Sequence, residues 1–164
     1  MTTHPKGKRP RPAAAVTGVH PAGPNHQVLT VTTPDGGRYA YVRSPCAQCP
    51  WRRDLPTKVF PAEAFRHSAR CAEDLAMTTF ACHMTGTKRP ATCAGFILSD
   101  DAPHNLMLRM KAHSGALDFR NVKPLPGVET FRTYSDMAVA NGVKLNDPTL
   151  IATRSRREAG YGRR

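Results

Sequence analysis

The sequence predicts a small α+β domain that is stabilised by a metal ion, with an N-terminal β-hairpin, a cysteine-rich lobe and a few short helices. Three features lead to this prediction: strand-like segments that flank a turn, cysteines at the spacing of metal ligands, and short helical patterns in the second half of the chain. The chain has 164 residues, which is the length of one domain with terminal arms.

Both ends of the chain are basic. Lysine and arginine outnumber the acidic residues by 24 to 12, which gives a formal net charge of +12. We predict a disordered, proline-rich arm over residues 1–26, a domain over residues 27–148 and a second basic arm over residues 149–164. Such cations either keep the chain in solution or attract nucleic acid or an acidic protein surface. The candidate partner-binding cations of the arms and of one loop in the domain are Lys6, Lys8, Arg9, Arg11, Lys88, Arg89, Arg154, Arg156 and Arg157.

The domain begins with a predicted β-hairpin. Gln27–Thr33 and Arg38–Arg43 are rich in Val, Thr and Tyr, and the turn residues Pro34–Gly37 separate them. Because side chains alternate along a strand, Tyr39 and Tyr41 are expected on one face. The hairpin would lead the chain directly into the first cysteines.

A two-cysteine turn follows, which we call the knuckle (residues 45–50). Cys46 and Cys49 are separated by two residues, and a proline on each side rules out a regular helix. A tight turn there would direct both sulfurs to one position, as tetrahedral zinc requires. Cys82 and Cys93 would supply the other two thiolates. Four protein ligands leave no open coordination position, so the sequence predicts a structural zinc site.

The ligand set and the metal each have an alternative. Adjacent residues on an extended chain point to opposite sides, so either Cys82 or His83 would face the ion, and the other would lie behind it. The four cysteines could instead hold a [4Fe–4S] cluster, which would make the protein a redox or sensor protein.

The cellular compartment follows from the same cysteines. In a reducing compartment, cysteines at these spacings more often bind metal than form disulfides. The sequence has no apolar run of membrane-spanning length and no secretory signal. We therefore expect a cytoplasmic protein that does not enter the membrane.

Enzymatic interpretations have less support. A thioredoxin-like thiol pair would start a helix after a strand, a context that the prolines around Cys46 and Cys49 do not provide. A Cys–His hydrolase needs a base that reaches its nucleophile in space, whereas Cys82 and His83 are only neighbours in sequence. We therefore expect a protein without catalytic activity.

Several segments around the cysteines predict core or surface positions. Trp51 is expected in the core. Arg52 and Arg53 are expected in solvent, although Asp54 could pair with either of them. Cys71 is expected to be a small buried residue outside the metal site. Met77–Ala81 is short and apolar, which favours a strand that ends at the third candidate ligand.

Three helices are predicted. The first covers Lys58–Asp74, with Pro61 in its first turn. The second covers Pro103–Lys111, with Asp101 as its cap. Its predicted apolar stripe consists of Leu106, Met107 and Met110. The third covers Thr133–Asn141, is capped by Thr133 or Ser135, and is followed by a glycine that would end it.

Three motifs of the chain resemble those of a known family. They are CxxCPWR at residues 46–52, FxCH at residues 80–83 and CAGF at residues 93–96. On these motifs the chain resembles a family of small uncharacterised proteins from actinobacteria and their phages, over about residues 45–109. The resemblance implies a recurring cysteine/histidine site and a phage or actinobacterial origin. If the protein is encoded by a phage, we expect a phage accessory or host-interaction protein in the host cytoplasm. The pattern differs from that of the WhiB-like iron–sulfur regulators, whose paired cysteines lie between two single ones.

Overall fold

The computed structural model describes residues 14–33 and 39–154, which form an α+β fold with one antiparallel hairpin and several short helices. The α+β prediction is therefore confirmed. The strands are β1 (Ala15–Gly23) and β2 (His26–Thr32), and the helices are α1 (Ala62–Ser68), α2 (Ala94–Ile97), α3 (Leu106–His113), α4 (Tyr134–Ala140) and α5 (Pro148–Ile151). Single 3₁₀ turns cover Ala69–Ala72, His83–Thr85, Ala102–His104 and Phe119–Asn121.

The hairpin pairs strands that differ from those predicted. The predicted strand Gln27–Thr33 corresponds to β2, but β2 pairs with β1, which precedes it in the chain. A turn at Pro24 and Asn25 connects the two strands, because proline and asparagine both favour tight turns. The prediction of a disordered arm over residues 1–26 is thus wrong for β1, while residues 1–13 lie outside the described part of the chain.

The predicted pairing of the second strand, Arg38–Arg43, is also wrong. Its described residues 39–43 make one parallel bridge, between Tyr41 and Thr92, and do not join β2. The predicted turn at residues 34–37 and Arg38 lie outside the described residues. The segment therefore belongs to the cysteine lobe and not to the hairpin.

The core of the lobe is a group of aromatic rings around Trp51. The ring of Trp51 is fully buried and lies 5.9–6.0 Å from the rings of Phe80, Phe96 and Tyr134. Fully burying one large apolar side chain contributes about 1.5–3 kcal/mol, so this group is a major source of stability. The prediction that Trp51 is a core residue is confirmed.

Helix α1 is shorter than predicted. It begins after Pro61 and gives way to a 3₁₀ turn at Ala69, whereas the predicted helix extended over Lys58–Asp74. Lys58 has a left-handed φ of 64°, which a regular helix does not allow. Cys71 lies in the 3₁₀ turn and is only 3% exposed, as predicted for a buried core residue.

Helix α3 has a different cap and a different buried face from those predicted. Asn105 caps it, since its side-chain oxygen accepts the Leu108 N–H at 3.0 Å. Asp101 precedes a 3₁₀ turn and makes no side-chain cap there; its Oδ2 accepts the Tyr134 N–H at 2.6 Å. Leu108 is the buried residue of α3, while Met110 is 52% exposed, so the predicted methionine stripe is wrong at Met110.

The C-terminal part combines one confirmed helix with one that sequence reasoning missed. Thr133, one of the two predicted caps, caps α4, because its hydroxyl accepts the Asp136 N–H at 3.1 Å. The predicted basic arm from residue 149 begins instead inside α5, whose Leu150 is fully buried. Asp147 caps α5 by accepting the Thr149 N–H at 3.0 Å. The fold therefore continues into the predicted arm.

Candidate metal centre

The knuckle is a tight turn, as its spacing predicts. The Cys49 N–H donates to the Cys46 carbonyl at 3.2 Å, and the Arg52 N–H donates to the Cys49 carbonyl at 3.0 Å. These two successive turns place both cysteine side chains on the same side of a short loop. Cys49 is fully buried, while Cys46 is partly exposed.

The other two candidate ligands lie on paired extended segments. The Cys82 N–H donates to the Ala91 carbonyl, and the Cys93 N–H donates to the Phe80 carbonyl, each at 2.8 Å. The predicted strand Met77–Ala81 is reduced to this pairing, with one bridge between Ala81 and Thr92. The pairing brings Cys82 and Cys93 together although ten residues separate them.

Thr92 joins the two halves of the site. Its N–H donates to the Ala40 carbonyl at 3.0 Å, and its carbonyl accepts the Val42 N–H at 2.9 Å. Its hydroxyl also contacts the Tyr39 hydroxyl at 2.5 Å. The segment that leads into the knuckle is therefore fixed against the residue that precedes Cys93.

The four cysteines form two neighbouring thiol pairs. The Sγ atoms of Cys49 and Cys93 are 3.6 Å apart, and the Cys46 thiol interacts with that of Cys82. All five cysteines of the chain are free thiols. Four sulfurs about 2.3 Å from a tetrahedral zinc ion lie roughly 3.8 Å from one another, so the observed separation is close to that of a zinc site.

The arrangement as it stands is not a finished coordination sphere. Within the described residues, no group of three or more histidine, cysteine or carboxylate side chains has the arrangement of a metal site. What the structure shows is two adjacent thiol pairs that are partly or fully buried. The donor chemistry of the set suits zinc or iron, since thiolates are the ligands that these metals share.

Backbone N–H groups point at the sulfurs. The Cys49 sulfur accepts from the N–H groups of Trp51 and Gly95, and the Cys93 sulfur accepts from those of Phe96 and Gly95. Hydrogen bonds of this kind stabilise a thiolate more than a thiol. The start of α2 therefore supplies polar contacts to sulfurs that are otherwise surrounded by apolar core.

The Cys49–Cys93 pair combines one sulfur that favours the thiolate with one that does not. The hydrogen bond from Cys93 lowers the pKa of Cys49 to about 7, against the opposing effect of burial, and the backbone N–H groups lower it further. The shared hydrogen bond with Cys49, together with burial, raises the pKa of Cys93 well above its usual value. Burial raises the pKa of Cys46 to about 11, although the Gln48 N–H opposes the shift. Four thiolates together would need a cation between them.

Arg52 lies beside the knuckle, and the prediction that it is solvated is wrong. Its guanidinium binds Asp54 through two hydrogen bonds of 2.9 and 2.6 Å and also contacts the Cys46 carbonyl at 3.4 Å. Its side chain is only 14% exposed. The pairing with Asp54 is the predicted alternative. Arg53 is exposed, as predicted.

The alternative ligand His83 contacts an aromatic ring. It is exposed, and its ring packs against the ring of Phe60 at 5.0 Å. Cys82 is 4% exposed and interacts with Cys46. Cys71 is buried near Asp101 and Tyr134, outside the two pairs.

The predicted partner-binding cations have different surroundings. Lys88 and Arg89 are exposed on the loop between Cys82 and Cys93. Arg154 forms an ion pair with Asp74 at 3.0 Å, so it is part of the fold and not of a free arm. The remaining predicted cations, Lys6, Lys8, Arg9, Arg11, Arg156 and Arg157, lie outside the described residues.

Gly95 is a site residue that sequence reasoning missed. A Cβ atom at this position would lie 2.4 Å from the Trp51 Cβ and 2.6 Å from its Cγ. Only glycine allows α2 to approach the core tryptophan so closely. Because the Gly95 N–H serves both Cys49 and Cys93, this approach also sets the position of the sulfur contacts.

No helix among the described residues is long and apolar enough to cross a membrane.

Comparison with known proteins gives one match. Neither a curated protein nor a solved structure matches the chain. A family model described as a family of unknown function (DUF6283) matches residues 41–154, which include all five cysteines, the knuckle and helices α1 to α5. The chain therefore belongs to DUF6283, a family of unknown function.

Proposed function

We propose that this protein is a non-enzymatic zinc-binding module that acts on nucleic acid or on a nucleic-acid-associated protein, as a phage accessory or host-interaction protein would. Cys46, Cys49, Cys82 and Cys93 would hold one zinc ion. The observation that carries the proposal is the 3.6 Å separation of the Cys49 and Cys93 sulfurs, which is close to the spacing around a single tetrahedral ion.

The proposed role of the ion is structural. Four protein ligands leave no position for water or substrate, and three of the four sulfurs are buried. A bound ion would supply the positive charge that lets neighbouring thiols ionise together. Binding of structural zinc contributes on the order of 10 kcal/mol in small domains, enough to hold the knuckle against the paired segments around Thr92.

An iron–sulfur cluster on the same four cysteines is the second candidate. The N–H groups that donate to the sulfurs favour it, since such contacts tune the reduction potential of clusters. A [4Fe–4S] cluster is larger than one ion and requires its four thiolates to lie farther apart. The short distance between Cys49 and Cys93 therefore favours zinc.

Charge supports the proposed nucleic-acid partner. The net charge of the chain is +12, and Lys88 and Arg89 are exposed on the loop between two of the proposed ligands. A basic protein of this kind gains binding free energy from the release of counterions around phosphates. Association should accordingly weaken steeply as salt is added.

Elemental analysis with matched cysteine variants tests the metal proposal. We expect one zinc per chain in the purified protein, loss of that zinc in Cys49→Ser, and full retention in the control Cys71→Ser, because Cys71 is buried outside the thiol pairs. Cys82→Ser should also lose zinc, whereas His83→Ala should keep it. If the purified protein contained iron and absorbed visible light, the site would hold an iron–sulfur cluster and not zinc. Loss of metal in Cys71→Ser would refute the ligand assignment.

A further inference from the structure

A strip of aromatic and basic side chains runs along the lobe, and no part of the proposed zinc site accounts for it. We define the strip as Tyr39, Tyr41, Arg43, Lys111 and Lys123. Arg43 and Lys123 are exposed, and the other three side chains are partly exposed. All five lie outside the proposed ligand set and outside the basic arms.

The two tyrosines form the centre of the strip. Their rings stack with centroids 6.3 Å apart and an interplanar angle of 28°. The Lys111 ammonium lies over the Tyr39 ring, 5.6 Å from its centroid. The hydroxyl of Tyr39 is held by Thr92. Tyr39 is therefore fixed in position before any ligand arrives, and Tyr41 packs against it, which reduces the entropy lost on binding.

The cations lie at both ends of the tyrosine pair. Lys111 covers Tyr39 at one end, while Arg43 follows Tyr41 by two residues at the other. The Lys123 N–H donates to the Arg43 carbonyl at 2.9 Å, so these two cationic residues are neighbours. Along the strip, Lys111 is followed by the two tyrosine rings and then by Arg43 and Lys123.

The neighbouring acid Asp118 does not neutralise the strip. Asp118 lies near Lys123, but its two oxygens accept hydrogen bonds from the Arg120 guanidinium at 3.1 and 3.0 Å. Arg120 therefore compensates the charge of Asp118. The charges of Arg43, Lys111 and Lys123 together give the strip a positive potential that favours an anionic partner.

We propose that this strip binds single-stranded nucleic acid, with a base stacked on Tyr41 and with phosphates contacted by Arg43 and Lys123. The inference deepens the proposed function and rests on it. Aromatic rings between cations are how proteins hold unpaired strands, because each base offers a stacking face and each nucleotide a phosphate. An acidic protein surface would use the cations but would gain nothing from the rings.

Binding of a labelled single strand about 12 nucleotides long, measured by fluorescence anisotropy on the full chain, tests the strip. Tyr41→Leu should weaken binding about tenfold, because stacking of one base is lost, whereas Tyr41→Phe should bind like the wild type. Arg43→Gln and Lys123→Gln should each make the decrease of log K with log salt concentration less steep, by about 1 in the slope. The control Lys144→Gln removes an exposed cation outside the strip and should bind nearly as well as the wild type.

The possible outcomes separate this inference from the proposed function. If the wild type binds the strand but the strip variants bind equally well, the strip is not the binding site, although the protein still binds nucleic acid. If the wild type binds neither single nor double strands at low salt, the nucleic-acid function itself fails. Equal affinity for the single strand, its duplex and polyglutamate would refute the stacking role and favour an acidic protein. A preference for the single strand that Tyr41→Leu abolishes would support the inference.

Discussion

The cysteine lobe and the N-terminal hairpin are stabilised in different ways. In the lobe, Trp51 is fully buried among three other rings, and backbone N–H groups contact buried sulfurs. In the hairpin, only Ala22 is buried, while Val16 and Val19 are 47% and 56% exposed. The hairpin therefore depends on its own strand pairing and on a small contact with α1, whereas the lobe depends on close packing.

That contact is made by a few side chains. The rings of His20 on β1 and His67 on α1 stack at 5.0 Å, and the ring of His26 meets that of Phe60 edge-on at 6.4 Å. The hairpin also lies outside the part of the chain that the family model matches, which begins at residue 41. The matched residues are thus those of the closely packed lobe, and the hairpin is docked on its helix α1.

The largest expected effect comes from crowding the lobe. Gly95→Ala would place a methyl group 2.4 Å from the Trp51 Cβ, so α2 would have to move away from the tryptophan. We expect the free energy of unfolding to fall by about 3 kcal/mol and the zinc of the proposed site to be lost, since overpacking of a dense core is costly. Urea denaturation and zinc analysis would measure both.

The matched control for this variant lies in the hairpin. At Gly18 an added Cβ would meet side-chain atoms of His20 and Thr30 at 3.2–3.3 Å, and these can shift slightly. Gly18→Ala should therefore change the free energy of unfolding by less than about 1 kcal/mol. Equal destabilisation by Gly18→Ala and Gly95→Ala would contradict the distinction between the two regions.

An intermediate effect is expected from the pH dependence of Asp101, which is buried in the lobe. Burial raises the pKa of its carboxyl to about 6, against the opposing hydrogen bond from the Tyr134 N–H. A raised folded-state pKa means that the contribution of Asp101 is full below pH 3.8 and is lost as the pH rises through 6. The whole shift of about two units corresponds to roughly 3 kcal/mol.

Asp101→Asn would remove this dependence, because an amide can accept the Tyr134 N–H but does not ionise. We expect the wild type to lose stability relative to the variant as the pH rises from 4 to 7, by urea denaturation at each pH. Subtracting the free energies of unfolding of the two proteins at each pH removes the contribution of the ionisable groups that they share. A difference that stays constant over this range would show that Asp101 titrates normally.

The smallest expected effect on the lobe comes from disturbing the hairpin. Ala22 is 2% exposed, so Ala22→Glu would bury a charge and should separate the hairpin from α1. We expect faster amide hydrogen exchange in β1 and β2, with zinc content unchanged. If the zinc were lost as well, the hairpin and the lobe would have to be one cooperative unit.

Sequence reasoning succeeded where a short segment carries the whole signal. The knuckle follows from two cysteines and flanking prolines, and the start of α4 follows from Thr133 next to its helix. The buried position of Trp51 follows from its size. These features depend on neighbours in the chain, which the sequence displays directly.

Sequence reasoning failed where the interacting residue is distant in the chain or where the segment is only slightly buried. Strand β1 faces mostly solvent and contains Pro21, so it has no alternating apolar pattern to reveal it. Asp101 resembles a helix cap, but its partner Tyr134 lies 33 residues further on. The need for glycine at residue 95 depends on the position of a tryptophan 44 residues earlier, which only the folded chain shows.

The separation of the thiols along the chain has a consequence for biosynthesis. Cys49 and its partner Cys93 are 44 residues apart, so the knuckle leaves the ribosome well before the site can close. At about 5–20 residues per second, the first two thiols wait roughly 2 to 9 seconds for the last one. Until Cys82 emerges, the nascent chain presents only the two knuckle thiols, and Thr92 must arrive before the lobe can take shape.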